Sequence, residues 1–304
     1  MNAVVKKITP VGRILCISDI HGHVSLLNRL LEQTGYSPGK DTLILLGDLY
    51  TKGPDGPETL RRVIELTSAP NVHVLRGNCE DITEWMSPDE VSWVNALPHI
   101  LDAGDYVFVH GGLPSEDLEN LDEWACMKND AFLEQGLTFS RWVVTGHWPV
   151  NNYGHRTHCC NPIVSGEQRV IAIDGGCGIK RSGQLNAFII QDGAFSFSSI
   201  DDLPPYRVAK TQQAGGGTLN ITWNDRFVDI LSRGSEVSTV RHRATGRILE
   251  VPNSFLWERD GVWSTGDATD TRLPVEAGET VKLVSAFTDR VLAKKDGVVG
   301  WIFP

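Results

Sequence analysis

Leu43-Ile44-Leu45-Leu46-Gly47-Asp48 is a run of four apolar residues that stops at a glycine and an acid. A continuous apolar run this short suits a strand buried on both faces. The acid then stands at the strand's carboxyl end. The same unit recurs along the first two thirds of the chain. Ile14-Leu15-Cys16-Ile17 precedes Asp19, Val72-His73-Val74-Leu75 precedes Asn78, and Tyr106-Val107-Phe108-Val109 precedes His110. Trp142-Val143-Val144 precedes His147, and Val170-Ile171-Ala172-Ile173 precedes Asp174. Each strand end therefore carries an oxygen or nitrogen able to bind a metal.

Helical segments fall between several of these runs. Val24 to Thr34 places Leu27, Leu30 and Leu31 on one face and stops at Gly35, while Pro57 to Thr67 opens on a proline tolerated in a first turn. Ser87-Pro88-Asp89-Glu90 is a capping box that predicts a third helix. Strands alternating with helices predict an α/β layered fold, with sheets flanked by helices and ligands gathered at the carboxyl ends of the strands. Past Asp201 the texture changes: Pro204-Pro205 and Gly215-Gly216-Gly217 punctuate a stretch without helical period, followed by short strand-like runs at Ile221-Thr222-Trp223, Arg247 to Val251, Phe255 to Trp257 and Val281 to Val284. We expect two domains, residues 1–205 and a small all-β domain at 206–304, in line with a length of 304 residues.

A formal charge of −10 argues against nucleic acid as a partner, and 41% hydrophobic with 22% charged residues is ordinary for a globular protein. The first ten residues are not followed by the apolar stretch of a signal peptide, and no apolar run reaches membrane-spanning length, so a cytoplasmic protein without membrane contact is expected. Six cysteines spread over such a chain read as reduced thiols.

Asp19, His21, Asp48, Asn78, His110 and His147 together offer three oxygen and three imidazole ligands. That mixture suits Mn, Fe or Zn, and six ligands exceed what one tetrahedral ion needs, so two divalent ions sharing a carboxylate are expected. Any one of these residues alone reads as an ordinary strand end. Six of them, with Gly22, Gly47, Gly77, Gly111 and Gly146 beside them, point to one site.

Read as motifs, the residues are Ser18-Asp19-Ile20-His21-Gly22, Gly47-Asp48-Leu49-Tyr50-Thr51-Lys52-Gly53, Gly77-Asn78-Cys79-Glu80, His110-Gly111-Gly112 and Gly146-His147. Over about residues 12 to 200 the chain resembles the calcineurin-like metallophosphoesterases, most closely the phosphoprotein phosphatase and bacterial diadenosine tetraphosphatase branch. The resemblance implies that Asp19, His21 and Asp48 hold one metal and that Asp48, Asn78, His110 and His147 hold the other. It further implies hydrolysis of phosphomonoesters or nucleotide phosphoanhydrides by a hydroxide that the metal pair generates, on a phosphorylated small molecule, a nucleotide or a phosphoprotein.

Three positions depart from that pattern. Thr51 stands where the family has aspartate, Lys52 where it has arginine, and Cys79 where it has the histidine taken to protonate the leaving group. Lys52 keeps the charge and loses the bidentate fork. Loss of the acid together with its orienting carboxylate predicts a preference for leaving groups that depart as stable anions, namely aryl phosphates, phosphotyrosine or nucleotide anhydrides, over phosphoserine. The rival expectation is a weakened, metal-binding pseudophosphatase acting as a binding or scaffold protein.

Lys52, Cys79 and Arg181 are the expected catalytic positions. Among Lys128, Arg141 and Arg181 as phosphate-binding cations, Arg181 ranks first because its loop, Gly178 to Gly183, follows the last α/β strand. Glu80 and Asp81 could orient ligands or bind a further cation, and the plainer reading is a solvated acidic turn. His155, His158, Cys159 and Cys160 invite a zinc reading against that of an ordinary loop. Ala277 to Val284 and Lys294 to Ile302 resemble pieces of a bacterial SH3-like barrel, whose partner would be a peptide; the plainer reading is a small barrel burying Trp223, Trp257, Trp263 and Trp301.

Overall fold

The computed structural model describes residues 1–154, 157–215 and 218–304. They divide into two compact units. One comprises Met1–Val150, Asn161–Ile179 and Gly183–Asp201; the other comprises Asn151–Cys160, Lys180–Ser182 and Asp202–Pro304. Two short excursions from the first two thirds of the chain thus belong to the second unit, which periodicity could not indicate.

The first unit holds two sheets. In one, strands run in the order Ala194–Ile200, Leu185–Gln191, Ile14–Ile17, Thr42–Leu45, Val72–Val74. In the other the order is Val5–Lys7, Ile100–Asp102, Tyr106–Val109, Trp142–Thr145, Val170–Ala172, Ile163–Ser165. Ile14–Ile17, Thr42–Leu45 and Val72–Val74 are mutually parallel, as are Tyr106–Val109, Trp142–Thr145 and Val170–Ala172. Within each triplet the carboxyl ends therefore emerge at one edge.

Alternation along these strands sorts the core into layers. Ile14, Cys16, Ile44 and Leu46 pack with Leu101, Phe108, Val144 and Ile171 between the two sheets. Leu15, Ile17, Leu43 and Leu45 face the other way, onto Leu26, Leu27, Leu30 and Leu31 of the helix Val24–Gln33 and Leu60 and Val63 of the helix Gly56–Leu66. Val107, Val109 and Val143 pack with Leu113, Cys126 and Phe132 on the far side of the second sheet. The helix Pro88–Asn95 starts at a complete capping box in which Ser87 and Glu90 exchange hydrogen bonds. Layered sheets flanked by helices, the expected α/β architecture, are what the strands and helices build.

The second unit has strands and no α-helix among its described residues. A four-stranded sheet runs Pro205–Arg207, Thr280–Ala286, Val291–Lys295, Val298–Ile302; a three-stranded one runs Val228–Arg233, Val237–His242, Ile248–Pro252; and Leu256–Arg259 pairs with Val262–Thr265. Ile221-Thr222-Trp223, read as strand-like, forms no ladder strand; Asp225 instead accepts from the Thr222 amide and hydroxyl in a tight turn. Burial of the tryptophans is also corrected. Trp301 is buried, but Trp223 and Trp257 remain exposed and stack on each other with ring centroids 6.4 Å apart.

Candidate metal centre

The six strand ends meet at abrupt turns. Asp19, His21, Asp48 and His147 all have left-handed backbones, with φ of 54°, 47°, 52° and 63°. Non-glycine residues hold that conformation at a cost of about 1–3 kcal/mol each when surrounding structure enforces it, and such positions concentrate at functional sites. Two glycines make the convergence feasible. A Cβ on Gly146 would lie 2.5 Å from Asp19 Oδ2, and one on Gly77 would lie 2.4 Å from Asp48 Oδ1.

Asp19, His21 and Asp48 form one buried cluster whose ligand atoms lie within 4.8 Å of one another. His21 Nε2 is 3.7 Å from Asp19 Oδ1 and 3.7 Å from Asp48 Oδ2. On the other side of the same carboxylate, His110 Nε2 is 3.3 Å from Asp48 Oδ1 and 3.2 Å from Asn78 Oδ1. His110 donates from Nδ1 to the Leu46 carbonyl at 2.8 Å, which points Nε2 inward. The His147 amide donates to Asp19 Oδ2 at 2.9 Å, and its ring centroid is 5.3 Å from that of His110. The structure thus brings all six expected ligands together, with Asp48 facing both groups.

Whether these residues fit divalent ions is tested by their unmet polar atoms. Asp19 Oδ1 and His21 Nε2 are buried without a hydrogen-bond partner. Such atoms cost free energy unless something compensates, and mixed carboxylate, imidazole and amide donors are what Mn, Fe or Zn take. Electrostatics agree. Burial pushes Asp19 up to about 6, with the neighbouring Asp48 charge adding to it and His110 opposing. Burial likewise lowers His21 to about 3 and His147 to about 4, keeping both imidazoles neutral and able to donate a lone pair. The residues fit.

Glu80 is corrected: it is not a solvated turn residue but is completely buried. Its carboxylate accepts from the amides of Asp48 at 2.9 Å, Leu49 at 2.8 Å and Gly77 at 2.6 Å. One side chain therefore ties the Asp48 turn to the Asn78 turn. Burial and the charge of Asp48 push this carboxyl up to about 7, against those amides. Tyr50 donates to the Glu80 carbonyl at 2.8 Å and closes the same knot.

The departing positions also gather here. The Cys79 amide donates to Asp48 Oδ1 at 2.9 Å, and Asn78 Nδ2 donates to Cys79 Sγ at 3.3 Å. Burial works against the Lys52 ammonium, and the nearby Cys79, Asp48 and Asp19 hold its charged form. Burial, then the Asp48 charge, pushes the Cys79 thiol up to about 12, far from the range where general acids work best at neutral pH. Thr51 Oγ1 lies 3.5 Å from His21 Nδ1.

The remaining cations separate. Arg181 belongs to the second unit, where its guanidinium covers the Phe255 ring at 4.6 Å and donates to the Ser254 carbonyl at 3.2 Å. Arg141 bonds Asp102 at 2.8 Å. Lys128, ranked below Arg181 from sequence, stands at the site with Nζ 3.3 Å from His147 Nε2 and 2.5 Å from Asp130. Asp130 was not expected at all, since no motif contains it. His155 of the proposed zinc cluster lies outside the described residues. His158 is buried against Ser182 and Asn151, Cys160 contacts Ser182, and all six cysteines are free thiols. No helix among the described residues is long and apolar enough to cross a membrane.

Comparison with known proteins agrees with this geometry. The calcineurin-like phosphoesterase family model matches residues 12–171. The symmetrical bis(5'-nucleosyl)-tetraphosphatase of Acidovorax sp. strain JS42 is 43% identical over 233 residues, covering 68% of this chain and 78% of that protein. The protein of the same description from Methylococcus capsulatus strain Bath is 32% identical over 120 residues, which span 33% of this chain and less than half, 43%, of the relative. The crystal structure of a proposed diadenosine tetraphosphatase superposes with a TM-score of 0.51 at 20% identity, covering 66% of this chain and 99% of that one, a likeness of fold. Motifs, layers and matched residues converge: the chain belongs to the calcineurin-like phosphoesterase family, hydrolases that act on phosphoester bonds.

Proposed function

We propose that this protein is a two-metal phosphohydrolase that prefers nucleotide phosphoanhydrides and aryl phosphates to alkyl phosphates such as phosphoserine. The observation that carries it is the single carboxylate of Asp48, with His21 beside one oxygen and His110 beside the other. Asp19, His21 and Asp48 would hold one ion, and Asp48, Asn78, His110 and His147 the other. Divalent ions bound there supply Lewis-acid charge and lower the pKa of water. The chain's own residues do the rest.

Lys52, on the Cys79 side, and Lys128, on the His147 side, bracket the ligands and neutralise phosphoryl oxygens. As point charges they set position less strictly than an arginine fork would. Glu80 holds the two ligand turns in register through three amides. No imidazole stands at position 79 to protonate a leaving oxygen, and an acid in that role is worth about 10²- to 10⁴-fold. Another phosphate, or a phenol, leaves without that help. The two tetraphosphatase relatives are named for nucleotide anhydride substrates, which supports the anhydride class.

Turnover of diadenosine tetraphosphate, an aryl phosphate and a phosphoserine peptide should be compared with Mn²⁺, Zn²⁺ and Fe²⁺ supplied in turn. The first two should exceed the third by about 10²-fold or more, and equal rates on all three would sink the leaving-group reading. Asp48→Asn should reduce turnover by roughly 10³-fold. Full activity in that variant would refute the shared-carboxylate assignment.

A further inference from the structure

Asp130 lies in none of the five motifs, yet its Oδ1 is 2.7 Å from His147 Nε2 and 2.5 Å from Lys128 Nζ. Two acceptor lone pairs do not meet at 2.7 Å, so a proton lies between oxygen and nitrogen, and it belongs to Nε2. A neutral imidazole protonated at Nε2 has its lone pair on Nδ1. His110 shows the opposite arrangement, donating from Nδ1 to the Leu46 carbonyl and presenting Nε2. The two histidines of one ligand group thus offer opposite ring nitrogens, each chosen by what its other nitrogen bonds. For His110 the choosing group is a backbone carbonyl. For His147 it is a side chain that is half exposed and replaceable.

The local fold is arranged to bring this carboxylate in. Backbone at 127–129 lies directly against Gly111: a Cβ there would be 2.6 Å from the Met127 carbonyl oxygen and 2.9 Å from the Asn129 nitrogen. A Cβ on Gly112 would meet the Phe132 ring at 2.5 Å. Both the Gly111 and Gly112 amides donate to the Cys126 carbonyl, at 2.7 and 3.3 Å. The paired glycines after His110 therefore admit the segment that carries Lys128 and Asp130, and Ala131 turns it with a left-handed φ of 53°.

We infer that Asp130 is a positioning residue that acts on two partners at once: it fixes His147 in the tautomer that presents Nδ1 to the metal, and it anchors the Lys128 ammonium for the phosphoryl group. This rests on the metal-centre reading above and deepens it. An outer carboxylate on a metal-bound histidine typically contributes about 10- to 100-fold in metal affinity, whereas Lys128, whose Nζ lies at the longer distance of 3.3 Å from the same Nε2, acts chiefly on phosphate.

The test measures Mn²⁺ binding by calorimetry, the ¹⁵N signals of the His147 ring and KM for an aryl phosphate in wild type, Asp130→Ala, Asp130→Asn and Lys128→Ala. Asp130→Ala should weaken Mn²⁺ binding about 10-fold or more, lose the Nε2–H signature of His147 and raise KM. Asp130→Asn, close in shape and still an acceptor, should lose less affinity and guards against a folding defect in the alanine variant. Lys128→Ala should raise KM while Mn²⁺ affinity stays within about twofold. Asp130→Ala with wild-type Mn²⁺ affinity and an unchanged His147 tautomer would overturn the inference alone. A wild-type protein that bound no Mn²⁺ would overturn the metal-centre reading and this inference with it.

Discussion

His21 in the first unit and His242 in the second are equally inaccessible, each with no exposed surface. Their ring nitrogens differ. His242 bonds the Thr245 hydroxyl at 2.9 Å through Nδ1 and the Asp225 carbonyl at 2.8 Å through Nε2, so the imidazole is a cross-brace spent on its own fold. His21 directs Nε2 at two carboxylates, both 3.7 Å away and beyond hydrogen-bond reach, from a left-handed backbone. Burial alone therefore does not distinguish a functional histidine. Between these two the difference is whether each nitrogen is satisfied by protein; His73 Nδ1 and His158 Nδ1 are also buried without a hydrogen-bond partner, so an orphaned nitrogen points to a ligand only where, as at His21, other ligating groups face it.

The largest effect expected on the ligand side of this contrast comes from Glu80→Ala. Three amides lose one buried acceptor, a destabilisation of about 4 kcal/mol, and the Asp48 and Asn78 turns lose their shared tie. Denaturant melts and Mn²⁺ titration should both shift; a loss of stability with unchanged Mn²⁺ affinity would show that the turns hold their geometry without Glu80.

Acid should act next, and in the second unit. Burial lowers His158 to about 4, with Asp267 opposing only in part. The folded state thus refuses a proton that the unfolded chain accepts below about 6.5. Stability is complete above that pH and falls as pH drops towards 4, by about 3 kcal/mol. His158→Gln should flatten this part of the stability profile, and an identical pH dependence in the variant would refute the assignment to His158.

The smallest effect belongs to the cross-brace. His242→Leu leaves the Asp225 carbonyl and Thr245 hydroxyl without their partner, a loss of about 2 kcal/mol in unfolding free energy. Mn²⁺ affinity should not change. A variant that bound Mn²⁺ poorly would break the division between imidazoles that serve the fold and those that serve a ligand.

Legibility in the sequence followed the range of the interactions. The Ser87-to-Glu90 box spans one helical turn, and the structure contains it. Strand ends are equally local, since an apolar run followed by a polar residue is visible without knowing what lies opposite. Glu80 and Asp81, by contrast, are adjacent acids that sequence could not tell apart. One is buried on amides of a turn 31 and 32 residues earlier, the other pairs with Arg76 at the surface. Lys128 and Arg181 posed the same difficulty, because a cation in a loop reveals its charge and not its neighbours.

The six candidate ligand positions and the layered α/β pattern were thus legible in the sequence alone, because hydrophobic period and residue chemistry are properties of short segments. Tertiary structure decided which atoms face one another. Only the approach of two sheets and the close contact at Gly111 bring His21 and His110 to opposite oxygens of Asp48, and Lys128 and Asp130 to Nε2 of His147. These are contacts between segments far apart in the chain, and no local pattern encodes them.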